Sequence, residues 1–322
     1  MIHAEPKDLP IPQIHGYLLG GVQPRPIALV STVSKEGVNN LSPFSFYNAF
    51  GANPPTVAFS ASRRGSDATF KDTYNNLIEM KECVVQAVTH AIIEQINLAS
   101  AKFAADVDEF RISGLTPIDS DIVAPKRVEE SPFQMECKLR QMIPLGDGRG
   151  SGNLAICEVV KFHIADDIFR AGIIYPDFID LVGRNGGAFY TRASGDAVFE
   201  LNKPDKGNCI GFERLPAFMK ESHVYSGNNL GRFALTEKLP TDEEAAGFIE
   251  SFRQPKDKKE SKQKFFRALR RQDYESMLRT ALALGDQGHL NIKILLERTA
   301  KCALENGNTE SAWNTAVFAG SL

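Results

Sequence analysis

Residues 24–73 read PRPIALVSTVSKEGVNNLSPFSFYNAFGANPPTVAFSASRRGSDATFKDT, and this stretch decides the predicted fold. Residues 27–33 are aliphatic and β-branched, which is typical of a strand, and the Lys-Glu-Gly that follows indicates a hairpin turn. Residues 40–48 and 56–60 predict two further strands, separated by a break at 53–55, where two prolines follow an asparagine. The stretch therefore predicts short strands joined by tight turns.

The chain up to about residue 235 continues this pattern of short strands with few helices. Further strands are predicted at 83–88, 133–143 and 154–164, helices at 67–79 and 90–102, and a lead-in of turns at 1–23. Asp67 is the candidate N-cap of the first helix. The glycine-rich GDGRGSGN between two strands fails the GxGxxG pattern and indicates a hairpin loop rather than a dinucleotide site. The order of elements favours a barrel over a βαβ array.

Composition changes after about residue 235, so two domains are predicted, at 1–235 and 236–322. The second is predicted to be an α-helical extension of unknown role, with a helix at 241–253 after the acidic TDEE cap. Residues 263–303 are rich in Leu, Ala, Arg and Lys, and no internal repeat is expected. A charged linker or helix edge precedes them.

Within that region, the basic cluster from Lys256 to Arg271 is interpreted as a solvated helix face, with contact to an acidic partner as the alternative.

Composition and charge exclude several classes of protein. The 322 residues are 43% hydrophobic and carry a net charge of -3, with no basic stripe for nucleic acid. No apolar run reaches the about 18–20 residues that a membrane helix needs, and the first residues lack a signal-peptide core, so a cytoplasmic protein is expected. Five scattered cysteines and six scattered histidines, without CxxC or HExxH, predict neither a disulfide framework nor a metal site.

Small hydroxyls and cations near residues 60–73 suggest a phosphate site. Ser60, Ser62 and Arg63 end a predicted strand, and Lys71 and Thr73 lie on the helix that follows, where a phosphate could be held between them. The alternative is a polar loop before a capped helix.

Residues 40–45 suggest a second part of the same site. Asn40, Ser42 and Ser45 are small and polar, and beside Pro43 they would let a planar ring lie against the backbone. The alternative is an edge strand that faces solvent.

Several strings, in order along residues 20–235, resemble the flavin reductase-like family, the split-barrel FMN binders. They are RPIALVST (25–32), NLSPFSFYN (40–48), SxSRR with KDT (71–73), VDEFRISGL (107–115), ESPFQMECKL (130–139), GRNGGAFYTR (183–192) and YSGNNLGRFA ending at Ala234. The resemblance implies a mainly β fold with α, a Greek-key-like split β-barrel, that binds FMN non-covalently, often as a homodimer.

The resemblance also implies which residues contact the cofactor. The isoalloxazine and ribityl groups would meet Thr32, Asn40, Leu41, Ser42, Pro43, Phe44 and Ser45. The phosphate side would comprise Ser60, Ala61, Ser62, Arg63, Lys71, Asp72 and Thr73. Asn97 is a further expected contact, whereas Arg184 and Tyr190 belong to a family motif without an assigned role.

The implied function is that of an NAD(P)H-dependent flavin reductase, with a small-molecule nicotinamide donor, a separate electron acceptor and no nucleic acid or membrane partner. Because FMN carries the chemistry, no protein nucleophile is expected. His163 is the one candidate for assisting proton transfer, against the simpler interpretation of a partly exposed strand histidine. Two alternatives stay open: an FMN-binding electron carrier or redox sensor that acts through a protein partner, and a barrel that has lost its cofactor.

Overall fold

The computed structural model describes residues 1–201, 203–204, 207–253 and 260–322. The chain forms two compact units, Met1–Glu200 and Leu201–Leu322. This boundary precedes the predicted one near residue 235, because side chains between residues 210 and 234 belong to the core of the helical unit. Leu215, Met219 and Phe233, for example, are buried in one cluster with Trp313.

A seven-stranded sheet forms the first unit, and all of its strand pairs are antiparallel, in the order β2-β1-β5-β8-β9-β4-β3. Its strands are β1 Ala28–Val33, β2 Asn39–Phe44, β3 Tyr47–Ala52, β4 Pro55–Ser60, β5 Glu82–Gln86, β8 Phe133–Pro144 and β9 Asn153–Ile164. Three two-stranded ribbons accompany it: β6 Pro117–Ile118 with β7 Arg127–Val128, β10 Phe169–Arg170 with β11 Ile173–Ile174, and β12 Val182–Arg184 with β13 Tyr190–Arg192. The predicted class, mainly β with helices, is confirmed.

Five α-helices and three short 3-10 helices belong to the same unit. They are α1 Ile11–Gly21, α2 Asp72–Met80, α3 Ile93–Ala99, α4 Glu109–Ser113 and α5 Pro176–Ile179, with 3-10 turns at Pro6–Asp8, Asp166–Ile168 and Gly195–Ala197. Helix α1 lies where only turns were predicted. None of the described helices is both long and apolar enough to cross a bilayer.

Hydrophobic side chains pack on both faces of the sheet, and strand β1 supplies both cores. Val30 joins Phe44 and Phe59 in the first cluster, whereas Leu29 joins Leu41 and Phe110 in the second. Since successive side chains of a strand point to opposite faces, a strand buried on both sides reads as the continuous apolar run seen in the sequence. The two cores hold β2 in place through Leu41 on one face and Phe44 on the other.

Several predicted elements have different bounds; the helix predicted at 90–102, for example, is α3 Ile93–Ala99. The predicted helix at 67–79 begins only at Asp72, because Asp67 accepts a hydrogen bond from the Thr69 amide and Ala68 is left-handed, with φ of 61°. The predicted strand at 40–48 is two strands, β2 and β3, separated at Ser45 and Phe46. Tertiary pairing decides this split, since β2 pairs with β1 and β3 pairs with β4.

The second unit is helical, as predicted, over its described residues. Its helices are α6 Ala217–Lys220, α7 Gly227–Phe233, α8 Asp242–Glu250, α9 Lys262–Arg270, α10 Tyr274–Asp286, α11 Ile292–Glu305 and α12 Thr309–Gly320. Part of the charged linker predicted before α9, residues 254–259, lies outside the described residues, as does the start of the basic cluster. Within α9, Phe265 and Ala268 are buried while the basic side chains are exposed.

The helical unit contains an internal repeat, which the sequence analysis did not expect. Residues 266–285 and 301–320 align at a spacing of 35 residues, with identical residues at seven positions that include Ala268/Ala303, Ser276/Ser311 and Gly285/Gly320. Each copy contains a turn and the helices that flank it.

The two turns of the repeat form the same hydrogen bonds. The amides of Asp273 and Asn308 donate to the carbonyls of Ala268 and Ala303, over 3.1 and 2.9 Å. The side chains of Asp273 and Asn308 then cap α10 and α12. The repeated unit is therefore a helix–turn–helix, α9–α10 and then α11–α12, and repetition of this kind is typical of α-helical repeat proteins.

Two glycines of the helical unit test its packing. A Cβ atom at Gly320 would lie 2.5 Å from two ring carbons of Phe218, whereas a Cβ at Gly247, inside α8, would meet no atom within 4 Å. Gly320→Ala should therefore destabilise the unit by roughly 1–3 kcal/mol through overpacking, and Gly247→Ala should stabilise it by about 0.5–1 kcal/mol through helix propensity. Urea unfolding followed by circular dichroism measures both, and equal effects of the two variants would contradict the packing described here.

Candidate functional site

Two cavities flank the second half of β2. The first, which we call the Asn97 cavity, has a volume of about 190 Å³ and is lined by Ile27, Pro43, Ser45, Ile93, Ile96, Asn97, Ser100, Arg184 and Tyr190. The second, the Lys71 cavity, has a volume of about 230 Å³, and its lining includes Asn40, Ser42, Arg64, Ser66, Lys71, Asp72, Thr73, Ser100, Lys102 and Glu109. Ser100 lines both cavities, so they adjoin at this residue.

The free edge of β2 lies between these cavities. Strand β2 pairs only with β1, so alternate residues of β2 direct their backbone N–H and C=O groups away from the sheet. The amide of Leu41 is one of these, since it donates over 3.0 Å to Oε2 of Glu109 rather than to a strand. The next outward positions are Pro43 and Ser45, and both line the Asn97 cavity. Because proline has no N–H, Pro43 offers a ligand there its carbonyl oxygen and no donor.

Three of the predicted cofactor contacts belong to a buried polar network. Oδ1 of Asn40 accepts hydrogen bonds from the hydroxyls of Thr73 and Thr32, over 2.7 and 3.1 Å. The Thr32 hydroxyl in turn accepts from Nδ2 of Asn76, over 3.0 Å, and Nδ2 of Asn40 donates to the carboxylate of Glu109. All five side chains are buried. The network therefore ties β1, β2, α2 and α4 together behind the Lys71 cavity.

Lys71 is the available cation of its cavity. Arg64 pairs with Asp72 over 3.1 Å and Lys102 pairs with Asp67 over 3.3 Å. The ammonium of Lys71 makes no ion pair or hydrogen bond with any residue in the described ranges, and lies 4.8 Å from the ring centroid of Phe44. Burial, and then the charge of Arg64, lower the pKa of Lys71. An anion in the cavity would reverse that shift by supplying the missing counter-charge.

Hydroxyl groups and a helix start complete the anion-binding character of this cavity. Ser42, Ser66, Thr73 and Ser100 lie on its wall. Helix α2 begins at Asp72 without a side-chain cap, and the residues at its start line the cavity. Since the first amides of a helix favour negative charge, this donor set fits a phosphate group.

The predicted phosphate residues of the β4 end lie elsewhere. Ser60, Ala61, Ser62 and Arg63 line neither cavity. The Ser60 hydroxyl accepts from the amide of Asn153, and the Arg63 guanidinium lies 4.0 Å from the ring centroid of Phe70. Nε of Arg63 is buried without a hydrogen-bond partner among the described residues. One unmet donor therefore remains at this end, and the cofactor role of these four residues stays a prediction.

His163 belongs to a separate polar cluster on β8 and β9 and lines neither cavity. Its Nε2 lies 2.6 Å from Oε1 of the fully buried Glu136, whose oxygens also accept the amides of Asp121, Ile122 and Val123. Ligand atoms of Asp121, Glu136 and His163 lie within 4.8 Å of one another, as in a metal site. Because four donors already occupy the oxygens of Glu136, the cluster is explained as a hydrogen-bonded network.

Comparison with known proteins identifies the family. The sequence profile of the flavin reductase like domain matches residues 21–178. An uncharacterized protein of Halalkalibacterium halodurans is 38% identical over 189 residues, which cover 58% of this chain and 89% of that protein. An uncharacterized protein of Aquifex aeolicus is 36% identical, over 58% of this chain and 94% of that protein. The chain belongs to the flavin reductase-like family.

Solved structures agree with this membership in the flavin reductase-like family. Component B of the nitrilotriacetate monooxygenase from Bacillus cereus is 33% identical, with a TM-score of 0.59 over 62% of this chain and 98% of that one. The 2-nitrobenzoate 2-nitroreductase NbaA of Pseudomonas fluorescens is 27% identical, with a TM-score of 0.55 over 64% of this chain and all of that one. A split-barrel protein of Shewanella frigidimarina, 24% identical with a TM-score of 0.54 over 63% of this chain and 100% of that one, shares the fold. The predicted split-barrel class is thus confirmed.

The folded chain places some of the predicted flavin-contact residues on the walls of the two cavities. Asn40, Ser42, Lys71, Asp72 and Thr73 line the Lys71 cavity, and Pro43, Ser45 and Asn97 line the Asn97 cavity. Thr32 lies behind them in the network, and Leu41 and Phe44 are buried in the two cores.

Sequence reasoning missed Ser100, Lys102 and Glu109 as wall residues. The first two follow α3 and were assigned to a longer helix. Glu109 lies in the quoted string VDEFRISGL. The signal that could have identified it there is its charge directly before the apolar Phe110.

The Glu136 cluster predicts a pH-dependent stability. Burial by itself would raise the pKa of Glu136, but hydrogen bonds from the Asp121, Ile122 and Val123 amides and from His163 outweigh it and lower that pKa below its usual range. A carboxylate whose pKa is lowered on folding adds stability above its unfolded pKa, and this contribution is lost as the pH falls through the folded value. Glu136→Gln should therefore cost roughly 3 kcal/mol at pH 7, and less at strongly acidic pH.

Urea unfolding at pH 7 and at pH 3 would measure this difference. Glu158→Gln is the matched control, since Glu158 pairs with an exposed arginine on the same hairpin and should change stability by less than about 1 kcal/mol. Equal destabilisation by Glu136→Gln at both pH values would contradict the assigned role of the carboxylate.

Proposed function

We propose that the chain is an FMN-dependent oxidoreductase that takes a hydride from NAD(P)H and passes the electrons to flavin or to another acceptor. One observation carries the proposal: the ammonium of Lys71, unpaired among the described residues, lies in a hydroxyl-lined cavity that adjoins a second cavity along the free edge of β2. A cofactor with a terminal phosphate and a planar, polar-edged ring needs both cavities, one for the phosphate and one for the ring. The family membership supports a flavin, and the Lys71 cavity, with its volume of about 230 Å³, suits the one phosphate of FMN.

The residues of the Lys71 cavity would bind the phosphate. Lys71 supplies the charge, Ser42 and Ser66 supply hydroxyl donors, and the uncapped start of α2 supplies amides. The Ser100 hydroxyl already donates to the Asn97 carbonyl over 2.6 Å. Arg64 is already paired with Asp72. An anion bound in the cavity would therefore form its ion pair with Lys71.

The Asn97 cavity would hold the ring. Ile27, Ile93 and Ile96 provide apolar contact that excludes water, and the outward backbone groups at Pro43 and Ser45 would bind the polar edge of the ring. When bound, FMN would supply the redox chemistry by accepting a hydride at N5. The protein's part is to orient the ring and leave one face open, so no protein acid or base is required.

Arg184 and Tyr190 would receive the nicotinamide donor. The Arg184 guanidinium lies 4.4 Å from the ring centroid of Tyr190 and donates to the carbonyl of Gly187. It makes no ion pair within the described part of the chain, and Tyr190 is 40% exposed. A cation beside an exposed ring at the cavity suits a phosphorylated aromatic donor.

A homodimer is part of the proposal. Strand β3 is the other edge of the sheet, and its Phe50 is 67% exposed. Helix α1 adds Tyr17 and Leu18, each about half exposed, and His15 of the same helix contacts Phe46. An apolar edge strand beside an apolar helix face is a surface that proteins usually cover, and a second copy of the chain would do so.

The decisive experiment is a visible spectrum with anaerobic reduction. The purified chain, titrated with FMN, should show saturable binding and flavin absorption bands, and NADH or NADPH should bleach those bands within seconds. Binding without bleaching would favour the carrier or sensor alternative. Absence of FMN binding would overturn the proposed function.

The phosphate assignment has its own test. Lys71→Ala should weaken FMN binding about 10–100-fold, the usual value of a charge-assisted hydrogen bond. Arg63→Ala is also expected to weaken it, through the unmet Nε donor. Lys138→Ala, which removes an exposed lysine of β8, is the control and should change nothing. Fluorescence titration of FMN measures all three, and unchanged affinity in both site variants would refute the assignment.

A further inference from the structure

Glu109 is a buried carboxylate without a cationic partner among the described residues. It is 7% exposed and is the first residue of the short helix α4. Its oxygens accept from Nδ2 of Asn40, over 3.1 and 3.2 Å, and from the amide of Leu41, over 3.0 Å. All of its hydrogen bonds from other elements therefore come from β2. Burial raises the pKa of the Glu109 carboxyl, and the hydrogen bonds from Leu41 and Asn40 oppose that rise. The ionised carboxylate therefore depends on β2 for its donors.

The carboxylate of Glu109 is not needed to begin helix α4. That role belongs to Asp108, whose side chain accepts the amide of Phe110 over 2.9 Å. The second oxygen of Asp108 accepts from the side chain of Asn39 instead. Both carboxylates therefore contact β2, but in different ways. Asp108 caps the helix and accepts from the Asn39 side chain, whereas Glu109 accepts from the Leu41 backbone and the Asn40 side chain.

The side chain of Asn40 has one orientation in this network. Its Oδ1 accepts two hydroxyl donors, from Thr73 and Thr32, so its amide nitrogen must face an acceptor. Glu109 is that acceptor. If the carboxylate became an amide, one of its two polar atoms would be a donor, and a donor would then face either the Asn40 nitrogen or the Leu41 amide.

The same contact lies next to the proposed ring site. Leu41 is an outward position on the free edge of β2, and the following outward positions, Pro43 and Ser45, line the Asn97 cavity. The strand is rigid over so short a distance because its side chains at Leu41 and Phe44 are buried in opposite cores. Fixing the Leu41 amide therefore fixes where the next outward groups point.

We propose that Glu109 is a positioning residue for the flavin: through Asn40 and the Leu41 amide, it holds the free edge of β2 in the orientation that presents Pro43 and Ser45 to the ring. The inference rests on the proposed FMN site and adds a residue to it that does not touch the cofactor's ring. It also assigns Asn40 to the support of the site rather than to direct contact with the ring.

A double-mutant cycle with matched donors and acceptors tests this inference. E109Q places an amide donor against the Asn40 donor, and N40D places two carboxylates against each other. The double variant N40D/E109Q restores complementarity, because the new amide donates to the new carboxylate, which can still accept the two threonine hydroxyls. FMN affinity, the visible spectrum at saturating FMN and the thermal midpoint of the apo-protein are measured for all four proteins.

The expected result is a loss of about 10–100-fold in FMN affinity for each single variant, and recovery to within about fivefold of wild type for the double. Each single variant should also shift the bound flavin's absorption bands, which general destabilisation would not do. D106N, which removes a neighbouring exposed charge that makes no hydrogen bond or ion pair with any described residue, is the control and should bind FMN as wild type does.

Three results would overturn the inference: wild-type affinity in E109Q, a double variant that binds no better than N40D, or a D106N variant as impaired as E109Q. If E109Q alone fails to fold, the comparison of N40D with N40D/E109Q carries the test. Failure of the wild-type chain to bind FMN would overturn the proposed function as well. Normal wild-type binding with no coupling between positions 40 and 109 would overturn only the role of Glu109.

Discussion

The outer edge of β2 is the constraint on which the candidate site depends. An edge strand leaves half of its backbone groups without partners in the sheet. Such groups bind water, pair with another strand or form hydrogen bonds with a specific side chain. Here the Leu41 amide is met by a buried carboxylate, and the groups two and four residues further on open into a cavity. The two cavities are consequences of that edge, since one borders each side of the strand.

The two hydrophobic cores fix the position of this edge strand. Leu41 and Phe44 are buried in different clusters, so β2 cannot shift by one residue without exchanging its buried and exposed faces. The polar network acts in the same direction, because each member has one compatible arrangement of donors and acceptors. Packing fixes the register of the strand, and hydrogen bonding fixes the orientation of its side chains.

The helical unit has a different construction. Its repeated helix–turn–helix places the same alanine carbonyl, capping side chain and serine amide in both turns. Local hydrogen bonds therefore define each copy, whereas the buried aromatic side chains of Phe233 and Trp313 belong to contacts that span the unit. The matched flavin reductase like domain ends at residue 178, so the family relationship describes the first unit only.

The amino-acid sequence by itself determined the class of fold and the family, and it predicted several of the residues that line the two cavities of the candidate site. Strand residues at 27–33 could be predicted because β-branched, aliphatic composition is a local property. Lys71 was identified from the cations and hydroxyls that follow a predicted strand, and Asn97 through the family resemblance. Tertiary structure alone decided which polar residues face a cavity and which face each other. Asn40, Thr32 and Thr73 read as ligand contacts in the sequence, yet their hydrogen bonds go to one another, Asn76 and Glu109. That pairing joins residues 8 to 69 positions apart, and no local pattern records it, because donors and acceptors find their partners only when the chain has folded.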